Sequence, residues 1–283
     1  MMPREKQDAA DRLTAEIKRE LNDARGWIEA VAVLAQDNRY GSLIADRLQD
    51  VRNLRGLVDP VREAERKYAS SGNDNERLDA WADVGRTFGA AQATAGALVE
   101  RIAETEQGID GLVGLVRRSS KAIEKGIEHL DSLEHLLDRQ TPETRRFRLR
   151  LDNLKGALAT AGDTLGRSMS RQESARYLAK QFETAELDAD ESWQHSAAVE
   201  QTSSTLETDL SVAGEALRGL RGQTDITGPA TREAIIETSD LAKAARAGLT
   251  PPTGQGPRGK YGMGEQDRRY GTGGPSDTRG FHR

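Results

Sequence analysis

Residues 101–140, RIAETEQGIDGLVGLVRRSSKAIEKGIEHLDSLEHLLDRQ, carry the strongest periodic pattern in the chain. Within this stretch, six apolar residues recur at an unbroken spacing of seven: Ile102, Ile109, Val116, Ile123, Leu130 and Leu137. A seven-residue apolar repeat places these side chains on one stripe of an α-helix, and the stripe packs against a partner helix along its length. The stretch is therefore predicted to be one arm of a coiled-coil-like pair.

Three glycines lie in the early turns of this arm, at Gly108, Gly111 and Gly114. Glycine inside a helix costs about 1 kcal/mol relative to alanine, because its backbone loses more conformational freedom on folding. We therefore expect any bend or break of this helix to fall between residues 108 and 114.

A second arm is predicted to begin directly after the first. Thr141 and Pro142 are typical of a helix start, since threonine caps the first turn and proline is tolerated at the first helical position. Leucines then recur every seven residues, so the two arms together predict a long antiparallel hairpin. We call nine apolar residues of its interface the seam: Ile102, Ile109, Val116, Ile123, Leu130, Leu137, Leu151, Leu158 and Leu165.

Charge is also arranged for pairing between the two arms. The acidic residues near the end of the first arm are Glu124, Glu128, Asp131, Glu134 and Asp138. The arginines that open the second arm are Arg145, Arg146, Arg148 and Arg150. Arginine near a helix N-terminus opposes the helix dipole at a cost of about 0.3–1 kcal/mol, and pairing with the acidic arm is expected to offset this cost. Binding of phosphate is the alternative role for these arginines.

Helical patterns continue on both sides of the hairpin. Residues 1–74 are predicted to be an N-terminal region of short helices, and residues 75–221 to contain the hairpin and a third long helix. Residues 222–228 indicate a break, so residues 222–248 are predicted to form a separate short helix. The predicted fold class is all-α, an elongated helical bundle with a long antiparallel coiled-coil-like hairpin and a disordered C-terminal tail at residues 249–283.

The composition fits helices that pack along narrow interfaces. Hydrophobic residues make up 36% of the chain, aromatic residues 4% and charged residues 31%, whereas an average globular protein is roughly 45–50% apolar and about 25% charged. The absence of cysteine excludes disulfides and thiolate metal sites, which is consistent with a cytoplasmic protein. The longest uncharged run, Thr87–Val99, has 13 residues, and a membrane-spanning helix needs about 20. No membrane insertion is predicted.

Sequence motifs of catalysis are missing, so the chain is predicted not to be an enzyme and to need no cofactor. It has no phosphate loop of the G-x-x-x-x-G-K type, no H-E-x-x-H and no G-x-S-x-G. One stripe of the first arm carries Glu124, Glu128, Asp131, His135 and Asp138. A metal site and a solvated helix face are the two interpretations. The register of the seam places this stripe on the opposite side of the helix, which favours the solvated face.

The tail differs from the rest of the chain in composition and charge. The 31 residues after Pro252 contain nine glycines and almost no aliphatic side chains, which predicts disorder. Residues 249–283 carry six basic and three acidic side chains, which leaves a net charge of −8 on residues 1–248. Because binding to phosphates requires basic residues, nucleic acid is expected to bind only through the tail.

Aromatic, arginine and glycine residues alternate in the tail, and its candidate docking residues are Tyr261, Glu265, Arg268, Arg269, Tyr270 and Phe281. A docking peptide for a protein partner and stacking on single-stranded nucleic acid are both consistent with this pattern. The spacing of Tyr261 and Glu265 also resembles an export signal of type VII secretion substrates. The resemblance covers five residues, and the Trp-x-Gly turn of such substrates is missing.

These patterns favour a non-enzymatic assembly scaffold or adaptor that contacts itself or a protein partner. The organisation, an acidic helical body followed by a basic end, resembles that of viral scaffolding proteins. A leaderless secreted factor and a protein that associates with nucleic acid through its tail are the alternatives. Cytoplasmic location is predicted for the scaffold and export for the secreted factor.

Overall fold

The computed structural model describes residues 3–36, 39–187 and 194–250. Apart from short turns and caps, these residues are α-helical, and they confirm the predicted all-α class. The helices are α1 Pro3–Gln36, α2 Arg39–Arg55, α3 Val58–Ser70, α4 Asp74–Leu137, α5 Pro142–Glu183 and α6 His195–Leu249.

The six helices form a four-armed bundle, because α1, α2 and α3 follow one another along a single arm. This N-terminal arm lies between α4 and α6, and α5 lies between α4 and α6 on the opposite side of the bundle. Neighbouring arms run antiparallel, as the order of their ion pairs demonstrates. The pairs are Arg148–Asp131 and Arg176–Glu106 between α4 and α5, Arg171–Asp209 and Arg150–Glu233 between α5 and α6, and Arg246–Asp11 and Arg232–Glu29 between α6 and α1.

The predicted turn of the hairpin is confirmed in detail. Pro142 begins α5, and Thr141 caps it by accepting a hydrogen bond from the Thr144 backbone N–H at 3.1 Å. The Thr144 hydroxyl oxygen in turn accepts from the Thr141 backbone N–H at 3.0 Å. Such a reciprocal cap satisfies N–H groups that the first helical turn leaves free. It therefore fixes the point at which the chain reverses direction.

No break interrupts α4, which is one α-helix of 64 residues and continues through Gly108. Packing explains why this helix keeps a glycine there. A Cβ atom built on Gly108 would overlap Cε1 of Tyr40, which belongs to α2. Glycine at this position lets the tyrosine ring lie directly against the backbone of α4, and this contact outweighs the low helix propensity of glycine.

The predicted break at residues 222–228 is wrong, since α6 continues through them and contains Pro229. Proline lacks the N–H of a helical hydrogen bond and its ring crowds the carbonyl four residues earlier. That carbonyl belongs to Asp225, and both residues are exposed, so water can solvate it. Thr227 and Thr231 on the opposite side are buried, and this packing holds the helix together.

The N-terminal region also differs from the prediction. Its first helix, α1, has 34 residues, so residues 1–74 are not a region of short helices only. The region does not stand apart from the hairpin, because residues up to Leu249 form one compact unit. The core of this unit follows the bundle axis, and the seam belongs to it.

Replacing Gly108 by alanine is expected to lower the free energy of unfolding by about 1–3 kcal/mol, since the added methyl group overlaps the ring of Tyr40. Gly111 is the matched control, because a Cβ atom there meets no atom within 4 Å. Gly111→Ala should raise the free energy of unfolding by up to about 1 kcal/mol through helix propensity. Urea unfolding of both variants measures the difference. Equal stabilisation of both would contradict the close contact.

Candidate functional site

All nine seam residues are buried within one chain. Six of them are fully inaccessible, and the remaining three, Val116, Leu137 and Leu158, are at most 7% exposed. They pack against apolar residues of the other arms, including Ile17, Ile28 and Leu210. Because the seam closes inside the bundle, a surface that binds another molecule must be formed by other residues.

The arginines of the hairpin divide between two neighbouring helices. Arg148 pairs with Asp131 and Glu134 of α4, as predicted from the charges of the two arms. Arg150 instead turns to α6, where it contacts Glu233 at 2.6 Å and Glu237 at 2.7 Å. Burial alone would lower the pKa of Arg150, but these two carboxylates outweigh it and raise the pKa. Arg150 is therefore a fixed cation that links α5 to α6.

A groove of about 400 Å³ lies beside Arg150, between α5 and α6. Leu149 and Ile226 line it, and each is 62% exposed. Ala157 and Ala230 add small apolar side chains to its walls. Leu149 and Ile226 are two of the six large hydrophobic residues that are exposed in the described part of the chain. A groove that gathers such residues marks a contact site on a protein surface.

The rim of this groove carries a cation that is free to pair. Arg146 lines the groove and is exposed, and it forms no ion pair with any described residue. Arg150 on the same wall is already held by two carboxylates. A molecule that fills the groove would therefore find apolar side chains in its wall and one unpaired positive charge at its edge.

A second candidate is a buried polar cluster at the start of α6. Glu65 of α3, His195 and Ser196 are each at most 7% exposed. The Glu65 carboxylate accepts hydrogen bonds from the Ser196 backbone N–H at 3.1 Å and from the Ser196 hydroxyl at 2.6 Å. The His195 Nδ1 atom lies 3.5 Å from the same carboxylate.

This cluster is arranged as a helix cap rather than as a nucleophile and its base. The Ser196 hydroxyl donates to Glu65, and no hydrogen bond joins it to His195 among the described residues. A carboxylate is favourable at this position because the N-terminus of a helix carries partial positive charge and free N–H groups. Glu65 therefore joins α3 to the first turn of α6, which begins at His195.

Aromatic side chains surround the cap and connect it to α4 and α5. The His195 ring is edge-on to Trp81 at 5.8 Å and to Phe88 at 5.2 Å between ring centroids. Phe88 in turn contacts Phe182 of α5 at 5.3 Å. Edge-to-face contacts at these distances are favourable between aromatic rings. The cluster thus holds α3, α4, α5 and α6 together at one end of the bundle.

The acidic stripe of α4 is exposed to solvent. Glu124, Glu128, Asp131, His135 and Asp138 all lie on the surface, as the register of the seam predicted. Among the residues that the structure describes, no group of three or more histidine, aspartate or glutamate side chains is placed to hold a metal ion.

A buried carboxylate elsewhere on α4, Glu106, has a raised pKa, because burial disfavours its charge more than the nearby Arg176 favours it.

The candidate docking residues of the tail, from Tyr261 to Phe281, lie outside the described residues. The groove and the helix cap were not predicted from the sequence. Leu149 falls outside the seven-residue rows, and Ile226 lies in the segment where a break was expected. Glu65 and Ser196 are 131 positions apart, so no local pattern connects them.

Fold and surface define the chain as a long antiparallel four-helix bundle with an exposed apolar groove. None of the helices in the described ranges contains an apolar stretch of the length that a membrane span requires. Neither a family model, nor a curated protein, nor a solved structure matches this chain.

Proposed function

We propose that this protein is a non-enzymatic adaptor or assembly scaffold, and that it binds a helix of a protein partner in the groove between α5 and α6. The observation that carries the proposal is the exposure of Leu149 and Ile226 in one groove. The seam is already filled by the chain's own helices, so it offers no surface to a partner.

The dimensions and charge of the groove suit an amphipathic helix. Its α5 wall extends from Arg146 to Ala157, which is about 16 Å, or three helical turns, at about 1.5 Å per residue. An amphipathic helix places apolar residues on one face at spacings of three and four, and such helices bind apolar grooves. A carboxylate beside those apolar residues would pair with Arg146.

The proposal is tested by placing a charge in the groove. Leu149→Asp and Ile226→Asp are each expected to weaken binding of the partner by about 10-fold or more, because the carboxylate must be desolvated against apolar side chains. Leu78→Asp is the matched control, since Leu78 is 67% exposed and lies at the start of α4. It should leave the affinity unchanged.

The partner is first identified by affinity purification from the native host and mass spectrometry, and its affinity is then measured with purified proteins. Retention of full affinity by both groove variants would refute the proposed site. Light scattering after size-exclusion chromatography checks for a second copy as the occupant. A mass of two chains that falls to one chain in Leu149→Asp would replace the partner helix by a copy of this protein.

A further inference from the structure

A second pocket lies at the junction of α1 and α2 in the N-terminal arm, and it is separate from the groove between α5 and α6. Its volume is about 360 Å³. Leu34 and Ala35 contribute from the last turn of α1, and Tyr40 from the first turn of α2. The described walls of the pocket on this side thus come from the end of one helix and the start of the next.

The floor of this pocket consists of core residues. Leu112 of α4 and Leu217 and Leu220 of α6 line it, and all three are at most 8% exposed. The position of Tyr40 in its wall is fixed by the contact with Gly108. The apolar part of the pocket is therefore built by packed side chains on three different arms.

Two arginines of α6 lie at the mouth of this pocket. Arg218 and Arg221 line the pocket and are exposed. The carboxylate of Glu215 is 4.0 Å from Arg218, and both side chains are 71% exposed, so water screens this pair strongly. Arg221 forms no ion pair with any residue in the described ranges. Both guanidinium groups are consequently available to an anion at the pocket mouth.

We propose that this pocket binds a small amphiphile with an aliphatic body and a single carboxylate head. The volume lies within the range of about 300–1,000 Å³ that is typical of ligand pockets, which are mostly apolar with a few polar groups. The half-buried side chains of Leu34, Ala35 and Tyr40 would contact the aliphatic body above the leucine floor. The guanidinium groups would take the carboxylate, whose two oxygens match the parallel N–H groups of arginine.

The charge of the remaining surface makes this position selective. Residues 1–248 carry a net charge of −8, so most of the surface repels an anion. A pair of arginines three residues apart, beside the half-buried side chains of Leu34 and Tyr40, combines the two features that an aliphatic carboxylate requires. A neutral molecule of the same length would keep the apolar contact and lose the contact with the arginines.

The test uses the full chain with decanoate as the probe and 1-decanol as its neutral counterpart. Isothermal titration is expected to give one decanoate per chain at concentrations below micelle formation. Arg218→Gln combined with Arg221→Gln should weaken decanoate binding by about 10-fold and leave 1-decanol binding unchanged. Lys243→Gln, an exposed position near the end of α6, is the control and should leave both unchanged.

Ala35→Phe fills the pocket and should weaken decanoate and 1-decanol binding together by about 10-fold.

A decanoate that carries a photoreactive group provides a second measurement that does not depend on a variant's folding. It should label peptides that contain Leu34, Tyr40 or Leu217. Absence of saturable binding, labelling elsewhere, or equal loss of decanoate binding in Lys243→Gln would overturn the proposal. Equal affinity for the two probes in the native chain would overturn the carboxylate assignment. Neither result bears on the groove between α5 and α6.

Discussion

Leu130→Ala is expected to lower the free energy of unfolding by about 2–5 kcal/mol, the largest change among the substitutions considered. Leu130 lies on the seam and is fully buried in the core of the bundle. Alanine removes apolar atoms from a closely packed site and leaves a cavity, because the surrounding helices relax only partly. The loss should appear within a single chain, since the residues that pack against Leu130 belong to the same molecule.

Urea unfolding followed by circular dichroism measures this loss, and light scattering determines the molecular mass of each variant. Leu78→Ala is the control: Leu78 is 67% exposed, so its truncation should change stability by about 0.5 kcal/mol or less. A Leu130→Ala protein with unchanged stability and a halved molecular mass would mean that the seam closes between chains instead.

Glu65→Ala is expected to cost about 2–4 kcal/mol, because it removes the acceptor of two buried hydrogen bonds. The Ser196 backbone N–H and hydroxyl would lose their partner in a place that water cannot easily reach. The first turn of α6 would also lose the negative charge that complements its dipole. The junction of α3 with α6 should therefore loosen before the rest of the bundle.

Hydrogen exchange locates this effect as well as measuring it. Amide protection should fall most in the first turns of α6 and in α3, and little in the hairpin turn at Thr141. Glu63→Ala is the matched control, since Glu63 lies on the same helix and forms only an exposed pair with Arg66. A uniform loss of protection, or a cost as small as that of Glu63→Ala, would contradict the role of Glu65 as a cap.

The parts of this fold that were predictable are those that depend on residues close together in the chain. The seven-residue rows fixed which faces of α4 and α5 are buried, and the cap formed by Thr141 and Pro142 fixed where the chain turns. The pairing of Arg148 with α4 followed from that turn. In each case the signal lies within one helix or across one short connection.

The predicted break at residues 222–228 was wrong because tertiary contacts there outweigh local propensity. Glycine and proline weaken an isolated helix, yet α4 continues through Gly108 and α6 through Pro229. Packing of Tyr40 on Gly108 and burial of one side of α6 stabilise these stretches, and no sequence window contains both partners.

The helical class, the residues of the core stripe and the position of the hairpin turn could all be predicted from the amino-acid pattern, because hydrophobic periodicity and capping act over a few residues. Three features emerge only from the folded bundle: the seam closes within one chain, Arg150 pairs with α6, and Glu65 caps a helix 131 positions away. The folded bundle alone brought Leu149 and Ile226 to one groove. Such contacts depend on which helices become neighbours, and that choice is made by the packing of the whole bundle rather than by any local pattern.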